Sequence, residues 1–246
     1  TDQWKKSGNN WYWLDSDGEM AIDQLIEDGD NYYYVDINGV MAANQWVAID
    51  NEDAGDDDEP EHYWYYFQAN GKALKQGDSD TVSLKTVNGK KYAFDEYGAM
   101  VAEWSLDEDD EKKASDTEAQ EAASTASTSE AWEGNGKYAK YTQAWKYYNS
   151  VEDGSRVSKG WFKVVPAEML NKEKYDDDEE SWYYADGSGN LYAGEFKTIK
   201  GKKYAFRNDG RMLTGLKFIK EGDEDFADVK ADDDDSRPFD NEDDFF

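Results

Sequence analysis

Residues 31–41, NYYYVDINGVM, decide how the rest of the chain is read. The tyrosine-rich half has the side-to-side alternation of a β-strand, and Asn38-Gly39 then supplies the positive φ that a tight turn requires. Within Tyr32-Tyr33-Tyr34 the middle ring faces opposite to its neighbours, so one face feeds a core while the other lines a groove. The same combination, an aromatic strand followed by a turn glycine, recurs as WYWLDSDGEM (11–20), WYYFQANGKAL (64–74), KYAFDEYGAM (91–100), KYYNSVEDGSR (146–156), WYYADGSGNL (182–191) and KYAFRNDGRM (203–212). Seven copies are therefore expected, centred on Gly18, Gly39, Gly71, Gly98, Gly154, Gly189 and Gly210. The shortest spacing, about 21 residues, is a bare unit, and the longer spacings carry insertions.

A bare unit reads as one hairpin and a connecting turn. In the first, Gln3-Trp4-Lys5-Lys6 is a strand, Ser7-Gly8-Asn9-Asn10 a turn, Trp11 to Asp15 a second strand, and Ser16-Asp17-Gly18 another turn. A lone hairpin is marginal in water, so neighbours must stack and bury one another's faces. The predicted fold is all-β: one repeat array over residues 1–246, a β-hairpin solenoid of about seven units with the last truncated.

Composition fits a thin structure of this kind. Hydrophobic residues make up 38% of the chain, charged residues 34%, and the net charge is -30, a balance that ordinarily points to disorder. Ten Trp, eighteen Tyr and ten Phe reverse that reading, because each ring buries a large area and a small core per unit then suffices. The absence of cysteine removes disulfides and thiolate metal sites. No apolar run is long enough for a membrane-spanning helix. The charge disfavours nucleic acid and anionic membranes, which need Lys and Arg clusters, and favours cationic ligands. TDQWKKSG at the start lacks the apolar region of a signal peptide and NEDDFF stops mid-pattern, so a trimmed fragment is expected.

The insertions are acidic: residues 50–61 (DNEDAGDDDEPE), 107–111 (DEDDE), 176–180 (DDDEE) and 232–235 (DDDD). They read as solvated loops at hairpin tips. As oxygen-rich clusters, Asp56, Asp57, Asp58 and Asp176, Asp177, Asp178 are also candidate calcium ligands. Asp15-Ser16-Asp17-Gly18-Glu19 looks superficially like an EF-hand loop, but turn chemistry explains it. Residues 114–131 are a low-complexity Ala/Ser/Thr/Glu segment that either interrupts one repeat, the preferred reading, or separates two sub-arrays near residue 120. His62, the single histidine, is read as unremarkable. No esterase, metalloprotease or nucleotide-binding signature occurs, and no enzyme activity is expected.

NNWYWLDSDGEMAIDQ, NYYYVDINGVMAANQW, GKKYAFDEYGAMVAEW and GKKYAFRNDGRMLTGL resemble the choline-binding, or cell-wall-binding, repeats of Gram-positive surface proteins, with their glucan-binding and clostridial-toxin relatives. The resemblance covers the chain apart from its insertions. It implies a left-handed solenoid of hairpins, with choline held between successive hairpins in a cage of about three rings. A quaternary ammonium donates no hydrogen bond, so ring faces hold it.

Carried over by position, the residue opening each unit is Trp4, Leu25, Trp46, one near Val82 or Leu84, Trp104, Trp161, Phe196 and Leu216. The residue leading each second strand is Trp11, Tyr32, Trp64, Lys91, Trp145 (to within one residue), Trp182 and Lys203. Three junctions then carry a full ring trio: Trp4, Trp11 and Tyr33; Trp46, Trp64 and Tyr92; Trp161, Trp182 and Tyr204. Leu25, Phe196, Lys91 and Lys203 interrupt the others.

The resemblance implies a non-catalytic module of a secreted or surface-attached protein at the bacterial cell wall, binding choline-decorated teichoic acid or a neutral polysaccharide. A contrasting reading makes the array a structural spacer or protein-interaction surface in which every ring is core and the acidic loops engage calcium or a protein. Full burial of Trp4, Trp46 and Trp161 would mark that second case.

Overall fold

In a computed structural model the described residues are 2–52, 54, 55, 59–77, 84–106, 136–214, 218–221 and 226–230. The 107–111 and 232–235 acidic runs, the 114–131 segment, Asp56 to Asp58, Val82 and Leu216 lie outside them. All but one of the sheets among the described residues are antiparallel two-stranded hairpins, as the turn-punctuated aromatic pattern requires. Successive pairs are β1 (Gln3–Ser7) with β2 (Asn10–Leu14), β3 (Gln24–Asp28) with β4 (Asn31–Val35), β5 (Gln45–Asp50) with β6 (His62–Phe67), and β7 (Lys85–Val87) with β8 (Lys90–Tyr92). After β9 (Glu103–Leu106), the end of β10 (Trp145–Ser150) turns back on β11 (Asp153–Arg156), and these three form the three-stranded sheet. Then come β12 (Gly160–Val164) with β13 (Ser181–Ala185), β14 (Glu195–Ile199) with β15 (Lys202–Phe206), and β16 (Phe218–Glu221) with β17 (Phe226–Lys230). The last pair is an eighth hairpin where the sequence pattern suggests a truncated unit. Two helices, α1 (Gly136–Ala144) and α2 (Lys172–Asp176), were not foreseen at these places.

The hairpins fall into two compact units, Thr1–Glu103 with Tyr148–Arg156, and Trp104–Tyr147 with Val157–Phe246. Within each, one register repeats. Trp4 faces Trp13, Trp46 faces Tyr66, and Trp161 faces Tyr184 across their ladders. Two residues further out, Trp11 faces Lys6, Trp64 faces Ala48 and Trp182 faces Lys163.

Four of the turns are closed by an aspartate three residues before the glycine. Asp15, Asp36, Asp95 and Asp186 each accept two backbone N–H groups through Oδ1, at 2.7 to 3.0 Å. This is the side-chain turn mimicry that Asp provides, and it employs Asp15 in folding, as the turn reading of that loop requires. Neighbouring hairpins are joined by backbone bonds: Met41 N to Trp11 O (2.9 Å), Ala73 N to Tyr32 O (2.8 Å), Met100 N to Trp64 O (2.8 Å) and Met212 N to Trp182 O (2.8 Å).

Side chains lock the same junctions. A Cβ added at Gly39 would lie 2.9 Å from the Met20 sulfur, and one at Gly154 would lie 2.7 Å from both the Met100 sulfur and the Val101 carbonyl oxygen. The methionine closing one unit thus seats under the glycine of the next. Gly154 does this from within β11 rather than from a left-handed turn.

The core is a chain of small clusters. In the first unit these centre on Trp13, Ile26, Tyr33 and Val35, on Ala42, Phe67 and Ala73, and on Val87, Tyr92, Phe94 and Met100. In the second, Tyr141, Trp145, Leu170, Tyr183 and Leu191 form one cluster. Burying a ring such as Phe67 contributes about 2 to 3 kcal/mol, so a few rings per hairpin sustain a unit with little other apolar content.

Candidate functional site

The three ring trios occupy the same register position in three hairpins, and the structure brings the opening Trp onto the middle Tyr of the following hairpin every time. Ring centroids are 4.9 Å apart for Trp4 and Tyr33, 4.9 Å for Trp46 and Tyr92, and 4.7 Å for Trp161 and Tyr204, with interplanar angles of 58°, 62° and 64°. Two rings inclined at this angle form adjoining walls. The tyrosine, mid-strand as Tyr33 and Tyr204 and at the end of β8 as Tyr92, points back toward the preceding hairpin while its neighbours in sequence point away. Strand alternation and stacking together produce the wedge.

The third members differ. Trp182 stands edge-on to Trp161 at 6.5 Å and 86°, and is 42% exposed. Trp11, 40% exposed, makes no ring contact with Trp4 or Tyr33 among the described residues, and the Lys6 ammonium lies 5.8 Å above its ring. Trp64 closes a cavity of about 260 Å³ with Trp46, Tyr92, Met100, Glu152 and Asp153. Trp4, Trp46 and Trp161 are all partly exposed, unlike the fully buried rings of a pure core.

Carboxylates stand at two of these places. The Trp4 indole donates to Asp28 Oδ2 at 3.2 Å. The Trp64 indole donates to Glu152 Oε2 at 2.9 Å, while the other oxygen of Glu152 is 2.7 Å from His62 Nε2. Burial pushes the neighbouring Asp153 carboxyl up, but bonds from Ser155 and the Lys90 ammonium outweigh it and hold the group below its usual range. Sequence reasoning missed His62 and Glu152. His62 sits two residues before Trp64, on the same strand face, which was a usable signal; Glu152 is 88 residues away in sequence, and nothing local points to it.

A fourth trio also went unnoticed. Trp104 meets Trp145 at 6.4 Å and 82°, and Tyr183 at 5.2 Å and 76°, close to the arrangement of Trp161 with Trp182 and Tyr204. Here the chain fills the space itself. Trp145 is 9% and Tyr183 0% exposed, with Tyr141 of α1, Ala167 and Leu170 in the same cluster. The Trp104 indole donates to Val165 O at 2.8 Å. Trp145 Nε1 and Tyr183 Oη are buried without a hydrogen-bond partner among the described residues. Burial and the nearby Asp209 carboxylate push the Tyr183 phenol well above its usual range.

The interrupted junctions have other occupants. Lys203 places its ammonium 4.3 Å over the ring of Phe196, so the chain's own cation sits on that aromatic face. Lys91 donates instead to Thr86 Oγ1 at 2.6 Å. Leu25 packs beside Ala42, Phe67 and Ala73. At the 176–180 tip, Asp176 pairs with Lys172 at 2.9 Å and Asp177 caps α2. Asp178 follows in a left-handed conformation. Among the described residues no three acidic or histidine side chains gather as a metal ion requires.

Compared with known protein families, residues 1–46 match the choline-binding repeat, a span that contains Trp4, Trp11 and Tyr33. No curated protein matches the chain in sequence. Among solved structures the chain is similar to choline binding protein F of Streptococcus pneumoniae, at 19% identity and TM-score 0.48, over 91% of this chain and 56% of that one. It is also similar to the modular autolysin LytC of the same organism, at 17% identity and TM-score 0.48, over 92% of this chain and 37% of the autolysin. A further similarity is to the choline-binding domain of CbpL, at 18% identity and TM-score 0.36, over 87% of each chain.

Proposed function

We propose that the chain is a non-catalytic cell-wall binding module of a secreted or surface-attached bacterial protein, holding choline, as on teichoic acid, at the three ring trios. The observation that carries this is the recurrence of the Trp–Tyr wedge at one register position in three hairpins, beside a third Trp that is partly or largely exposed. The match of residues 1–46 to the choline-binding repeat takes in the first trio. A strongly acidic chain concentrates cations around these sites. Each cation–ring contact contributes about 0.5 to 2 kcal/mol, and weak sites linked along one array gain avidity of roughly 10²- to 10⁴-fold.

Calorimetric titration of the chain with choline tests the reading, and saturable binding at millimolar choline is expected. Trp182→Ala, which removes an exposed ring, should weaken binding with little change in melting temperature. Trp161→Ala should lower both, since that ring also packs on Tyr184 at 5.1 Å and Phe206 at 5.7 Å. Absence of saturable heat, with a chain that melts cooperatively, would leave the spacer reading; heat with a soluble glucan and none with choline would move the ligand to a neutral polysaccharide.

A further inference from the structure

We infer that Glu152 is a charge-selecting wall of the middle trio, making the cavity of Trp46, Trp64 and Tyr92 prefer a cation over a neutral molecule of the same shape. This rests on the ring-trio reading and adds to it the property by which that site tells ligands apart. Glu152 comes from the turn between β10 and β11, and it lines the cavity together with Asp153. Its carboxylate accepts the Trp64 indole N–H at 2.9 Å through one oxygen, and the other oxygen lies 2.7 Å from His62 Nε2. A carboxylate held this way keeps its position at the rim without spending a ligand's binding energy on ordering it.

Two effects then favour a cation. The negative charge faces the space that the ammonium group enters, and its bond to the indole N–H raises electron density on the Trp64 ring, strengthening the ring's attraction for positive charge. Asp153, the other carboxylate of the cavity, already pairs with the Lys90 ammonium at 3.5 Å, so its charge is largely balanced. Glu152 has no lysine or arginine partner among the described ion pairs. Its hydrogen-bond donor is the uncharged Trp64 indole, so the carboxylate stands as the negative wall of the site.

The test uses the whole chain at pH 8, with choline and its uncharged carbon isostere, 3,3-dimethylbutan-1-ol, as probes. Occupancy of this one site is read from the Trp64 indole N–H resonance, assigned by its loss in Trp64→Phe. Glu152→Gln retains a carbonyl oxygen to accept the indole bond while removing the charge. The expected result is that Glu152→Gln weakens choline about three- to fivefold, the scale of one partly screened charge contact, and leaves the isostere unchanged. Equal weakening of both probes would show that Glu152 only holds the ring, and no change in either would show that it does not act; both results overturn the inference while the trio reading stands. A wild-type Trp64 resonance that moves with neither probe would overturn both.

Discussion

Tyr34 and Tyr63 show how single side chains of this acidic surface are tied down. The Tyr34 hydroxyl donates to Asp23 and that of Tyr63 to Glu59, the second at 2.6 Å. Burial and then the Asp23 bond push the Tyr34 phenol up to about 12; for Tyr63 the Glu59 bond is the larger cause, and the value is again about 12. Both folded values lie above the ordinary value of 10.0. The stability these phenols provide is therefore fully present below that value and is lost as pH rises through 12. Tyrosinate absorbance during an alkaline titration should show a late-ionising class that loses one member in Tyr63→Phe. If every phenol ionised together near the ordinary value, these bonds would be absent in solution. At this scale the sequence was legible where residues act through local periodicity: Trp4, Trp46 and Trp161 reach the tyrosines expected of them. It was illegible where partners meet through the fold, as Glu152 does with His62 and Trp64, because no spacing rule connects a turn to a strand so far away.

The hairpin is the scale at which the sequence spoke most clearly. Asn-Gly and Asp-Gly pairs, alternating rings and a closing methionine located nearly every strand pair, since each feature acts within about ten residues. What escaped were both helices and the place of the β10–β11 turn, which comes before Gly154 rather than on it. There Trp145 and Tyr147 continue the aromatic pattern, but the preceding segment folds as a helix whose Tyr141 joins the cluster around Trp145 and Tyr183. The result is a junction with the right rings and no room for a ligand, which ring spacing alone does not distinguish from an open one. Glycines test the locking of neighbouring hairpins. Gly154→Ala drives a methyl group into the Val101 carbonyl and the Met100 sulfur, and should cost about 2 to 4 kcal/mol in denaturant unfolding. Gly8→Ala meets nothing within 4 Å and suffers only from its φ of +61°, so about 1 kcal/mol is expected. Equal losses at the two positions would mean that β11 shifts to accommodate the methyl group.

Over the whole molecule the dominant quantity is the net charge of -30, carried in large part by the insertions. Like charges at this density repel in the compact state more than in the expanded one, and added salt screens them. The melting temperature should therefore rise as sodium chloride increases from about 0.01 to 0.15 M, over which the screening length falls from roughly 30 to 8 Å. A fall would mean that ion pairs such as Lys163–Glu180 and Lys172–Asp176 outweigh the general repulsion.

The backbone bonds that join successive hairpins have a consequence for how such a chain changes over generations. Met41, Ala73, Met100 and Met212 donate to the carbonyls of Trp11, Tyr32, Trp64 and Trp182 through main-chain atoms alone. A duplicated hairpin would inherit its attachment to its neighbour whatever residues later come to stand on its faces. Recognition is thereby free to drift, one copy keeping three rings, another seating its own lysine on a phenylalanine and a third sealing over, while the frame that spaces the copies is inherited intact.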